Sequence, residues 1–170
     1  MEEISGQQCM VCGKNELTLR EDELDIPYFG RVAVFGMSCT ACGYKKSDLE
    51  PLEAREGAEY TFEVSCEADL NVKVIKSGSA TLKIPRMITQ SSGPASNGYI
   101  TTVEGVLERV KSAIQASING EDDKAVRTKG KNQIKKLNNV LAGRDKIKLI
   151  ISDKSGCSSI VSDKVTTKKI

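Results

Sequence analysis

The chain has 170 residues, 39% hydrophobic and 28% charged, with a formal net charge of +2 and no histidine. This composition suits a soluble globular protein with room for one compact domain and a small module, and its short apolar runs exclude a membrane-spanning helix. The missing histidine excludes serine and cysteine hydrolase triads, imidazole-ligated catalytic zinc and histidine–carboxylate iron sites. With no phosphate-binding glycine loop either, a non-enzymatic role is expected.

The opening Met1-Glu2-Glu3-Ile4-Ser5 is acidic where a secretory signal is basic and then apolar, so a reducing, cytoplasmic setting is expected. Cys9-Met10-Val11-Cys12 and Cys39-Thr40-Ala41-Cys42 follow, separated by twenty-six residues and each trailed by a glycine, Gly13 or Gly43. A Cys-x-x-Cys-Gly turn curls the backbone so that both sulfurs face one point. Two such turns supply the tetrahedral thiolate shell of a structural zinc, with Cys9, Cys12, Cys39 and Cys42 as ligands to one Zn2+. Two matched copies at this spacing favour a zinc ribbon over a redox dithiol. Four thiolates leave no open position for water, so the metal serves folding. The ribbon is expected over residues 1–50, a lobe too small to be stable without its metal.

Inside the ribbon, Leu17-Thr18-Leu19 and Leu24-Asp25-Ile26 are expected to bracket an acidic turn, and Arg31 to Met37 to run as a strand into the second knuckle. Tyr28 and Phe29, at a proline turn between them, serve either as packing beneath the zinc or as an exposed anchor for a partner. The stretch from Lys45 to Gly57 is polar and leads into a second domain over 51–170. There Tyr60, Phe62, Val64 and Cys66 alternate with polar residues, followed by the period-two runs Leu70-Val72-Val74 and Leu82-Ile84. Residues 89–98 form a loop by composition.

A helical hairpin is expected over about 101–143. Thr101 with Glu104 fits a capping box, and Val103, Val106, Leu107, Val110, Ala113, Ile114 and Ile118 fall on one face at helical spacing. Asn119 to Asp123 breaks that helix and places acids at the start of the next, which carries Ala125, Val126, Ile134, Leu137, Val140 and Leu141 and stops at Gly143. Strand character returns at Ile147–Ile151 and Ser159–Val161 around the turn Asp153-Lys154-Ser155-Gly156, so strands on either side of the hairpin are expected to share one sheet system. The remaining cysteines, Cys66 and Cys157, lie in strand-like stretches and are expected to be buried small hydrophobes. The fold class is therefore mainly β with an inserted α-helical hairpin.

Charge is unevenly spread. Residues 1–50 hold nine acids against five bases, whereas residues 101–170 hold eight acids against fifteen bases, among them Lys124, Arg127, Lys129, Lys131, Lys135 and Lys136. The ribbon is acidic and the hairpin basic.

Three blocks of sequence together resemble the ZPR-type zinc-finger family. The first joins both cysteine pairs to Ile26-Pro27-Tyr28-Phe29-Gly30, Ser38 and Cys42-Gly43-Tyr44. The second is Gly98-Tyr99-Ile100-Thr101-Thr102-Val103-Glu104-Gly105, and the third Asp153-Lys154-Ser155-Gly156-Cys157-Ser158. The resemblance implies a double-stranded β-helix-like domain beside the ribbon, in a single-module form of archaeal type. It also implies a partner, translation elongation factor 1-alpha, bound as a regulator or folding chaperone. The charge asymmetry suggests Tyr28 and Phe29 with the acidic ribbon as one contact and Lys135 and Lys136 as another. A nucleic-acid-binding zinc ribbon of transcription or translation is the alternative, disfavoured by the acidity of the metal lobe.

Overall fold

The structure, a computed structural model, describes residues 2–26, 30–52, 56–93 and 96–170. Strands β1 (Glu2–Gln7), β2 (Leu17–Ile26), β3 (Gly30–Cys39) and β4 (Lys45–Pro51) form an antiparallel sheet in the order β1-β2-β3-β4. The long pair β2 and β3 runs in register from Leu17 opposite Cys39 at the metal end to Ile26 opposite Gly30 at the other. Two expectations are corrected here. The acids Glu21, Asp22, Glu23 and Asp25 occupy a continuous strand instead of a turn, because Phe35, Val34, Ala33 and Arg31 of β3 pair opposite them. Lys45 to Pro51, expected as the start of a polar connector, is an edge strand along β3 whose Leu49 is buried.

The remaining chain builds two sheets. Strands β5 (Ala58–Val64), β6 (Lys73–Lys76), β7 (Thr81–Ile84), β8 (Ile88–Gln90) and β9 (Tyr99–Thr102) precede helices α1 (Val103–Asn119) and α2 (Lys124–Leu141). Strands β10 (Ile147–Asp153), β11 (Ser159–Val161) and β12 (Thr166–Lys169) follow them. The five-stranded sheet has the order β12-β5-β10-β7-β8 and the three-stranded sheet β11-β6-β9, so the chain passes repeatedly from one sheet to the other. Strand β10 lies between β5 and β7, pairing Leu149 with Phe62 and Ile151 with Leu82. Strands on either side of the hairpin thus share a sheet, as expected. Alternate residues of these strands face the core, where Phe62, Val74, Leu82, Leu149 and Ile151 are at most 1% exposed.

The hairpin closes this core. Helix α1 contributes Val103, Val106, Leu107, Val110 and Ile114, whereas α2 contributes Leu137 and Val140 from its second half. Ala113 is exposed and Val126, in the first half of α2, is 44% exposed, so that half does not dock on the sandwich as the periodicity suggested. The N-cap of α1 is Thr102, whose hydroxyl accepts from the Gly105 N–H at 3.3 Å, one residue after the expected Thr101. Thr101 is held in β9 opposite Val74, and that pairing fixes where the helix begins. Asp123 caps α2 as the acidic break suggested, accepting from Ala125 N–H at 2.7 Å and Val126 N–H at 3.4 Å.

The two lobes meet through a second apolar cluster in which Ile26, Val32 and Leu49 of the ribbon pack with Ile75 and Cys157 of the sandwich. Cys157 is buried as expected. Cys66 is exposed, because it precedes a short 3-10 helix, Glu67–Asn71, where the β5 alternation has ended. No described helix is long and apolar enough to cross a membrane.

Candidate metal centre and the surfaces around it

The two knuckles are built alike. Gly13 donates to the Cys9 carbonyl at 2.8 Å and Gly43 to the Cys39 carbonyl at 3.0 Å, while Cys9 and Cys39 donate to the carbonyls of Lys14 and Tyr44 at 2.8 and 2.9 Å. Gly13 and Gly43 have φ values of 73° and 72°, the left-handed region that glycine enters without strain, so each turn reverses directly after its second cysteine. Leu17 and the buried Cys9 and Cys39 form a small apolar base with Leu19, Met37 and Tyr44 packed against it.

The four sulfurs lie within 4.8 Å of one another, with Cys9 Sγ to Cys42 Sγ 3.8 Å and Cys12 Sγ to Cys39 Sγ 3.7 Å. Thiolates at about 2.3 Å from a tetrahedral zinc are about 3.8 Å apart, whereas a disulfide would bring sulfurs to about 2.0 Å. Electrostatics agree with that donor set. Backbone N–H groups of Cys12 and Val11 lower the Cys9 thiol to about 7. At Cys42 the Tyr44 N–H lowers the pKa, but desolvation and the other three sulfurs outweigh it and raise the thiol to about 12. Four thiolates this close are mutually repulsive, and a divalent cation among them is what allows all four to ionise. The residues fit one structural zinc ion, which would be held by Cys9, Cys12, Cys39 and Cys42 with no position left for substrate.

The knuckle tip is apolar: Met10 is 71% and Val11 62% exposed. The sequence reading assigned these two residues no role, although the x-x positions of a Cys-x-x-Cys turn face away from the metal and a Met-Val pair there has no core to enter. Along β2 the acidic face is partly neutralised, since Arg20 pairs with Glu3 at 2.8 Å and Arg31 with Glu23. Tyr28 and Phe29 lie outside the described residues. Lys135 and Lys136 are both exposed on α2. Lys136 lines a groove with Arg86, Lys124 and Lys129, whereas Lys135 is not among the groove residues.

The other two sequence blocks converge at the junction of the lobes. Asp153, 1% exposed, accepts from Ser77 Oγ at 2.8 Å, Ser155 Oγ at 2.6 Å, Ser158 Oγ at 2.6 Å and Ser155 N–H at 2.9 Å. Desolvation raises its pKa, but these donors outweigh burial and hold it below the usual carboxylate range. Gly156, at φ 71°, makes the turn that returns Ser158 to the carboxylate. Beside it is the buried ammonium of Lys76, which donates to the Ser77 carbonyl at 3.1 Å; burial lowers its pKa, opposed by Asp153 and by Asp48 of the ribbon. The ring of Tyr99 carries Lys76 at 5.7 Å and Arg109 at 4.7 Å. Gly98 and Gly78 let Asp48 approach, since a Cβ on either would stand 3.0 Å from its carboxylate. These motifs therefore build the joint between ribbon and sandwich, a polar cluster whose groups satisfy one another.

Comparison with known proteins agrees with this architecture. The family model described as the ZPR1 zinc-finger domain matches residues 3–56, and the one described as the ZPR1 jelly-roll domain matches residues 68–169. An uncharacterized ZPR1-like protein of Methanocaldococcus jannaschii is 34% identical over 167 residues, 97% of this chain and 84% of that protein. A second, from Pyrococcus horikoshii, is 32% identical over 175 residues, covering 100% of this chain and 78% of its own. The zinc finger chaperone zpr1 of Schizosaccharomyces pombe is 31% identical over 156 residues, which are 89% of this chain but 33% of the longer yeast protein. With both family domains matched in order around a four-thiolate zinc site, the chain belongs to the ZPR1 family.

Proposed function

We propose that this chain is a non-enzymatic, cytoplasmic protein that binds translation elongation factor 1-alpha, as a folding chaperone or as a regulator of its GTPase cycle. The observation that carries the proposal is the presence of two unlike faces on one body. The zinc lobe offers exposed Met10 and Val11 at its metal end and acids along β2 toward its other end, and the sandwich offers the basic, exposed face of α2. Opposite charges on joined lobes suit a multidomain protein partner, and they speed encounter more than they tighten binding. An exposed apolar tip is suited to the incompletely buried surface of a folding client. The chaperone name of the fission yeast relative supports the folding role over a purely regulatory one.

The test is a calorimetric titration of the zinc-loaded protein into purified elongation factor 1-alpha in GDP and GTP-analogue forms, with an RNA control. Saturable binding to the factor without uptake of RNA is the expected result. Binding of RNA with silence toward the factor would transfer the assignment to a nucleic-acid ribbon. Reversal of both Lys135 and Lys136 to Glu is expected to slow association by about tenfold and flatten its salt dependence. Unchanged kinetics would remove the basic face from the mechanism.

A further inference from the structure

The groove between the β7–β8 turn and α2 has a volume of about 780 Å³, and its walls are cationic. Arg86, Lys124, Lys129 and Lys136 line it, with Pro85, Met87, Ala125 and Ile147 as apolar surface and no Asp or Glu among the lining residues. None of these four cations is ion-paired within the described residues, in contrast to Arg20, Arg31, Lys111, Lys164 and Lys169, each of which has a carboxylate partner. The groove residues on α2 recur one helical turn apart from Lys124 to Lys136, so the groove follows that helix for about 18 Å. An extended segment of about five or six residues spans that length.

The turn opposite α2 carries a local cost. Met87 N–H donates to the Ile84 carbonyl at 3.1 Å around Pro85-Arg86, and Arg86 has φ 62°, the one non-glycine residue at positive φ among those described. Proline second and a left-handed residue third is the pattern of a type II turn, whose third position favours glycine. An arginine there is strained relative to glycine, and strain of this kind clusters at functional sites. Gln133 Nε2 donates to the Met87 carbonyl at 3.0 Å, tying the turn to α2 and setting the width of the groove.

We infer that this groove binds a short acidic segment of a protein partner, its carboxylates meeting Arg86, Lys124, Lys129 and Lys136 and its apolar side chains resting on Pro85, Met87 and Ile147. The apolar surface and the absence of any aromatic lining residue favour a peptide over single-stranded nucleic acid, which is held by stacking on aromatic side chains. The inference rests on these residues alone and does not depend on elongation factor 1-alpha being the partner.

The test uses the full zinc-loaded chain and a fluorescein-labelled octapeptide alternating Glu and Leu, followed by anisotropy. A Lys-Leu peptide and a single-stranded RNA serve as competitors. Saturable binding of the acidic peptide is expected, weakened at least about tenfold by Lys129→Glu with Lys136→Glu. Arg86→Gly is expected to weaken binding several-fold while leaving the melting temperature equal or higher, a separation of binding from folding that a purely structural Arg86 would not give. Absence of peptide binding, equal binding by the charge-reversed variant, or displacement by RNA in place of the acidic peptide would each overturn the inference. A failed titration with elongation factor 1-alpha would leave it standing.

Discussion

The metal end of the ribbon and the sandwich with its hairpin are stabilised by different physics. At the metal end the apolar base is Cys9, Leu17 and Cys39 with three half-buried neighbours, too little to order a sheet whose β1 is exposed along its length. In the sandwich, eighteen buried residues among those described, most of them from strands and both helices, form one continuous core. The far end of the ribbon belongs with the sandwich in this respect, because Ile26, Val32 and Leu49 pack on Ile75 and Cys157. A zinc site can thus order a sheet end that has little core of its own, while the sandwich is expected to hold its fold on its own core.

The largest expected effect separates the two. Removing zinc with a chelator withdraws on the order of 10–16 kcal/mol from the metal end, and substituting Cys39→Ser, which removes one of the four ligands, withdraws part of that. Amide spectra should lose the knuckles and adjoining halves of β1 to β3 while the sandwich resonances persist. Concerted loss of both regions would show that the joint at Asp48 transmits metal loss to the whole chain. Next in size, Leu149→Ala, at a site with 0% exposure paired with Phe62 in the sandwich core, should cost about 2–5 kcal/mol and lower the melting temperature of the entire protein. Zinc affinity of the folded state should change little.

A smaller effect probes two buried carboxylates, Asp153 in the joint and Asp69 outside it. Asp153 and Asp69 both have pKa values held below the ordinary carboxylate range, Asp69 chiefly by the Lys164 ammonium at 2.7 Å. The stability they contribute is complete above about pH 4 and is lost as pH falls through their lowered folded values. Denaturant midpoints measured from pH 7 to pH 2 should show this loss. Asp153→Asn should cost about 1.5–3 kcal/mol at pH 7 and flatten the acid limb; an unchanged limb would assign acid sensitivity elsewhere. Gly57→Ala should cost about 1–3 kcal/mol, because the added Cβ would lie 2.9 Å from the Lys154 backbone. A neutral result in a melting experiment would mean that the β10–β11 turn yields more readily than its packing indicates.

Much of the fold was legible because local chemistry suffices for it. Four cysteines at paired spacing fix a metal geometry wherever they occur, and helical or period-two spacing of apolar residues marks which elements bury a face. The mainly β architecture and inserted hairpin follow from those signals together with the three recognisable sequence blocks. Less legible were positions whose state depends on a distant partner. β2 passes through its acids because β3 lies alongside it, and Thr101 is withheld from capping because Val74 pairs with it. Cys66 escapes burial where β5 ends, and Val126 is exposed because only the second half of α2 docks on the sandwich.

The sequence by itself determined the zinc quartet, the two helices with the acidic start of the second, and the alternating strands, all through interactions spanning a few residues. Only the tertiary structure decided that Asp48, Lys76 and Asp153 share one polar joint, or that Arg86 stands across a groove from Lys136. Those arrangements bring together groups dozens of residues apart, and their geometry is set by sheet order and helix docking, which no local spacing encodes.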